Sequence, residues 1–203
     1  MELALIYVTL PTLLWLGVLP IKFRLGFLVG VCLAVAGMCY FLKVPRSKLG
    51  LGKPSATAKG LLIGLGVFVV CFVGWVLIFS FLGRAPLPLI RSDPPRLLTI
   101  VCFYWISALA QEFLMRSFFF YRYRPLLPEG SLVLLNAMIF AFIHIIYGSW
   151  ISVALSFPIG LFLAWLYSRY PSLVAGTVTH YLFGLLAFAG GLGKYFYVPL
   201  PRL

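Results

Sequence analysis

Apolar residues in this chain run in long blocks, parted by short polar or proline-bearing breaks. A block of ~20 mainly apolar residues is what an α-helix needs to cross ~30 Å of hydrocarbon. That rule gives seven candidate spans, over 3–20, 25–42, 60–83, 98–123, 131–149, 150–168 and 172–190. Spans so numerous and so closely set predict an all-α fold, a polytopic transmembrane helical bundle of about seven helices with no separate soluble domain. The sixth and seventh are divided only by "SRYPS", where Pro171 suits the first turn of a new helix. The first block lacks a basic n-region and a small-residue cleavage site, so it is expected to be a retained span.

The breaks refine this picture. Residues 43–59, "KVPRSKLGLGKPSATAK", carry five cations and no acid, and are expected at the cytoplasmic headgroup surface. Residues 84–97, "RAPLPLIRSDPPRL", are proline-rich and too polar to cross, so an interfacial connection is expected there. Assigning the loops alternately gives a slight cation excess on the side of the N-terminus, which favours an inside N-terminus. The chain then divides into N-terminal membrane helices with basic and proline-rich loops (1–97), a core (98–190) and a short tail (191–203).

Composition agrees with the pattern. Of 203 residues 63% are hydrophobic and only 10% charged, whereas soluble domains are about half apolar and a quarter charged. The net charge of +12 does not indicate nucleic acid, because the cations fall between apolar runs, where they anchor to membrane lipids. Cys32, Cys39, Cys71 and Cys102 all lie inside apolar runs without metal-ligand spacing, and are expected to be small core hydrophobes.

Against this background a few polar residues stand out: Glu112 with Arg116 in "AQEFLMR", His144 in "FAFIH" and His180 in "TVTHYLFG". Ionisable groups inside a bilayer are costly unless they face a partner or water, and they mark functional sites by default. Counting 1.5 Å per residue, Glu112 lies ~18 Å and His144 ~20 Å from the turn joining their antiparallel helices, with His180 ~12 Å in from the same side. Convergence on one polar cavity is expected. Glu112 and Arg116, like Phe140 and His144, are spaced i,i+4 and share a helix face. Gln111 lies about 100° around from Glu112, and Thr177, His180 and Gly184 form one stripe of the last helix. Each feature also has a structural reading, with the Glu–Arg pair locking helices and each His bonding between them. The aromatic cluster "FFFYRYR" reads as an interfacial belt.

In order and spacing these residues resemble the CPBP intramembrane proteases (CAAX protease and bacteriocin-processing, also called the Abi group). The family signature is Glu-Glu-x-x-x-Arg, then Phe-x-x-x-His, then His-x-x-x-Asn, on successive core helices. This chain has Gln111-Glu112-x-x-x-Arg116, Phe140-x-x-x-His144 and His180-x-x-x-Gly184. The resemblance implies a four-helix catalytic core in the C-terminal half and an endopeptidase acting near the membrane-embedded or anchored end of a protein substrate. It implies a water activated by glutamate and histidine, without a cofactor. The first Glu, usually assigned as the base, is here Gln111, and the Asn thought to help hold the oxyanion is Gly184. A neutral amide cannot accept a proton, so the expectation is that Glu112 takes over as base, with His144 sharing the proton work and His180 donating to the oxyanion.

Other readings stay open on the sequence. Glu112, His144 and His180 together have the ligand chemistry for a divalent metal such as zinc with an open position for water. A non-catalytic membrane binding or immunity protein fits Gln111 and Gly184, and a small proton-coupled transporter fits ionisable groups in spans. The partners expected are lipids and a membrane-anchored protein or peptide, in a prokaryotic inner membrane.

Overall fold

The computed structural model describes residues 2–196, all of whose regular elements are helical. Seven apolar helices follow one another: α1 (Leu5–Trp15), α2 (Arg24–Phe41), α3 (Pro54–Phe81), α4 (Pro94–Tyr123), α5 (Glu129–Ile143), α6 (Trp150–Arg169) and α7 (Leu173–Ala189). Five passages are long and apolar enough to cross a membrane, while α1 and α7 are shorter apolar helices. The chain is a polytopic helical bundle.

Helix ends follow local chemistry. Asp93 caps α4 by accepting from the Arg96 amide at 3.1 Å, and Pro94 opens the helix where no backbone donor is needed. Ser172 caps α7 in the same way through the Ala175 amide at 3.2 Å. Its hydroxyl also meets Thr57 of α3 at 2.8 Å, which ties the starts of the two helices together. The Leu173 amide donates to the Gly50 carbonyl at 3.0 Å, anchoring the basic loop to the same end.

Several details depart from the sequence expectation. The first span stops at Trp15 rather than 20, where the chain turns through Gly17 at φ +73°. Residues 84–97 are not wholly a loop: a short helix occupies Pro88–Ser92, and α4 begins at Pro94 because Asp93 and two prolines make a strong start. The fifth span is α-helical only to Ile143 and tightens to 3₁₀ over His144–Tyr147. Cys71 and Cys102 are exposed on lipid-facing surfaces rather than in the core, although Cys39 is buried. Of the expected tail, 191–203, the part from 197 lies outside the described residues.

Packing places the core around α4. α5 and α6 form a close antiparallel pair, α7 packs on both α3 and α4, and α2 packs on α4. One apolar cluster joins Tyr7, Met115, Phe119, Phe120, Leu132, Phe140 and Tyr167. A second joins Val35, Cys39, Leu49, Phe113, Leu114, Phe118 and Leu173. α3 approaches α7 through Gly60 and Gly64, which face Ala175 and Thr179, so small residues at i,i+4 on both helices let the backbones close. The outer faces carry Leu62, Val70 and Phe81, each largely exposed, as lipid contact requires.

α4 is not regular throughout. Phe113–Phe118 is π-helical, immediately after Glu112. Two carbonyls of this stretch are taken by side chains from other helices: Tyr7 Oη donates to Leu114 at 2.7 Å, and Asn136 Nδ2 donates to Met115. A π-bulge is often found at a functional site, since the extra residue re-aims the side chains beside it.

Candidate active site

Glu112 and Arg116 are both completely buried. Arg116 Nε lies 3.5 Å from Glu112 Oε2, and Arg116 Nη2 donates to the Gly160 carbonyl at 3.3 Å. The other carboxylate oxygen, Oε1, accepts from His180 Nδ1 at 2.8 Å across α4 and α7. Gly176, one turn before His180, allows this: a Cβ there would stand 2.8 Å from Glu112 Oε2. Glu112 therefore sits between a guanidinium and an imidazole, with no room for a side chain on the facing turn of α7.

Phe140 of α5 is the hub of the aromatic surroundings. Its ring lies under the Arg116 guanidinium at 4.4 Å and meets the His180 ring edge-on at 5.4 Å. It also tilts against His144 with centroids 4.9 Å apart. Gly160 of α6 makes the space, since a Cβ there would reach 2.7 Å from the Phe140 ring. His144 itself donates from Nδ1 to the Phe140 carbonyl at 2.7 Å, which leaves Nε2 as the uncommitted nitrogen.

A cavity of about 790 Å³ lies beside this cluster, between α1, α2, α4 and the 3₁₀ turn after α5. Its wall is mainly apolar, with Tyr7, Thr99, Tyr104, Ser107, Gln111, His144 and Tyr147 as polar members, and with Lys22, Arg24 and Arg96 also on the lining. Tyr104, Ser107 and Gln111 come from one face of α4, three to four residues apart. Gln111 Nε2 donates to Ser107 Oγ at 2.9 Å.

The structure thus brings Glu112, Arg116, His180 and Phe140 into one cluster and carries His144 from its edge into the cavity wall. Gln111 is on the cavity; Glu112, Arg116, His180 and Gly184 are not. The metal alternative meets a geometric obstacle. Glu112 and His180 touch, but the Phe140 ring packs against both His144 and His180, and among the described residues no three His, Cys, Asp or Glu side chains could share a metal.

Sequence reasoning missed Gly160, Gly176, Asn136 and Tyr104. The glycines carry no chemistry of their own. A tyrosine in an apolar run looks like any interfacial aromatic, though its place seven residues before Gln111 puts both on one face. Tyr104 fills the space beside Gly184: a Cβ at 184 would collide with the phenol Cζ and Oη. That is the local reason residue 184 has no side chain.

A membrane-embedded helical bundle with a buried carboxylate–histidine–arginine cluster beside an intramembrane cavity is the class that fold and site define. Residues 93–186 match the family model described as Rce1-like, type II CAAX prenyl endopeptidase Rce1-like. Over this core the chain is similar to the CAAX protease (CPBP) family, and it is an integral multi-pass membrane protein. The match contains every motif residue from Gln111 to Gly184. No curated protein and no solved structure matches the chain.

Proposed function

We propose that the protein is an intramembrane endopeptidase in which His144 is the general base. The observation that supports this most directly is the position of His144. It stands on the cavity wall, its Nδ1–H is committed to the Phe140 carbonyl, and Nε2 makes no hydrogen bond among the described residues. A neutral imidazole held in that tautomer accepts a proton at Nε2.

In this mechanism a water in the cavity loses a proton to His144 Nε2 as its oxygen bonds to the carbonyl carbon of the scissile peptide. The C–N bond then breaks, His144 returns the proton to the leaving nitrogen, and a carboxyl and an amine result. Gln111 cannot take the proton, but its amide, fixed by Ser107, orients water or peptide. Glu112 accepts from His180 through Oε1, faces the Arg116 guanidinium through Oε2 and lies off the cavity, so its role is to position His180 and to neutralise Arg116. The apolar wall suits the membrane-embedded or lipid-anchored end of a protein substrate, and the small bundle suits a prokaryotic inner membrane. The reaction is assigned to side chains alone, without a metal.

One observation favours a second reading, a membrane binding protein without catalysis: the α4 residue that ends the polar row on the cavity is Gln111, a neutral amide. Cleavage of membrane-anchored peptides by purified protein in liposomes, read by mass spectrometry, separates the two. The endopeptidase reading expects cleavage by the native protein, and a loss of about 10²-fold or more in His144→Ala with the fold intact. Binding of the same peptides without any cleavage would leave the second reading in place.

A further inference from the structure

We propose that the Tyr104 hydroxyl is the donor that holds the carbonyl oxygen of the bound peptide as negative charge develops on it. The proposal rests on the endopeptidase reading above and adds a catalytic residue to it.

As water adds to a peptide carbonyl, its oxygen takes on negative charge, and a fixed donor aimed at that oxygen lowers the barrier more than one that must reorganise. The donor must reach the cavity. His180 and Gly184 do not line it, whereas Tyr104 does, on the same face of α4 as Ser107 and Gln111. Tyr104 packs over the stripe of α7 that carries both residues. Its phenol end occupies the place where a side chain at 184 would stand, and its ring meets the His180 ring edge-on at 6.1 Å.

The phenol is also held in place. It stacks on Tyr181 with centroids 6.0 Å apart and meets Phe188 edge-on at 5.5 Å. Tyr181 is itself tied to α4 by its hydroxyl, which donates to the Val101 carbonyl at 2.8 Å. The Tyr104 hydroxyl makes no hydrogen bond among the described residues, so its proton is uncommitted. A rigid aromatic carrying an unused O–H beside a reactive cavity is the arrangement an oxyanion donor requires. The phenol keeps its proton throughout: the step forms a hydrogen bond and transfers nothing, while His144 carries the proton between water and the leaving amine.

The test is steady-state kinetics of the full chain in liposomes with a membrane-anchored peptide that the native protein cleaves. Tyr104→Phe keeps the ring and its three aromatic contacts and removes only the O–H. Expected is a fall in kcat of about 10²-fold with KM and thermal midpoint nearly unchanged. A kcat equal to the native value, or a change confined to KM, would overturn the assignment of Tyr104 while leaving the endopeptidase intact. Absence of cleavage by the native protein on every anchored peptide tried would overturn the endopeptidase reading, and this proposal with it.

Discussion

The Glu112–Arg116 pair shows how a charge is kept inside a membrane helix. Neither side chain has any exposure, so each is tolerable only because of the other, the Gly160 carbonyl and His180. Removing one partner should therefore do more harm than removing both. Glu112→Gln is expected to lower stability by about 3–5 kcal/mol because it leaves the guanidinium uncompensated, and Glu112→Gln with Arg116→Met should recover most of that loss. Thermal unfolding in detergent measures both. These residues were legible in the sequence because a charge or imidazole inside an apolar run has no ordinary explanation. The division of labour between Gln111 and Glu112 was not. Which of two adjacent residues faces a cavity depends on helix rotation: Gln111 lines the cavity and Glu112 does not, which is why the proposed mechanism gives the base role to His144 where the sequence suggests Glu112. Tyr104 and Gly176 matter through what they touch, and contacts between helices leave no mark at the level of residue type.

At the level of elements, the seven apolar blocks mark seven helices because backbone groups in lipid must be satisfied within the segment. Their ends were harder to place: Trp15 ends the first passage early, and Asp93 starts the fourth early. Apolar blocks also hide the difference between core and lipid, which is why Cys71 and Cys102 lie outward. The π-helical stretch Phe113–Phe118 was invisible for a further reason, since the side chains that take its carbonyls come from residues 7 and 136, on other helices. If those donors hold the bulge, Tyr7→Phe should cost about 0.5–1.5 kcal/mol and raise hydrogen exchange of the amides in 113–118. Unchanged exchange there would show that the bulge stands without them.

For the whole molecule, the order of helices and their contacts fix which loops share an end. Gly50 bonds to Leu173 and Thr57 to Ser172, while Glu129 meets Arg169 at 3.7 Å, so the loops near 50, 126 and 171 lie together. Trp75 bonds to the Pro86 carbonyl and packs on Gly190 at the other end. In a variant lacking the four native cysteines, Ser47→Cys and Leu126→Cys should be labelled from one face of sealed vesicles and Arg84→Cys from the opposite face. Labelling of Ser47→Cys and Arg84→Cys from the same face would contradict the topology. The account as a whole claims that this bundle brings water, a peptide and His144 together within the bilayer. Cleavage of an anchored peptide in ¹⁸O-labelled water tests it most directly. The native protein should yield a new C-terminal carboxylate carrying one ¹⁸O, at a rate at least about 10²-fold above that of His144→Ala. No labelled product from the native protein, or equal rates for the two, would contradict it.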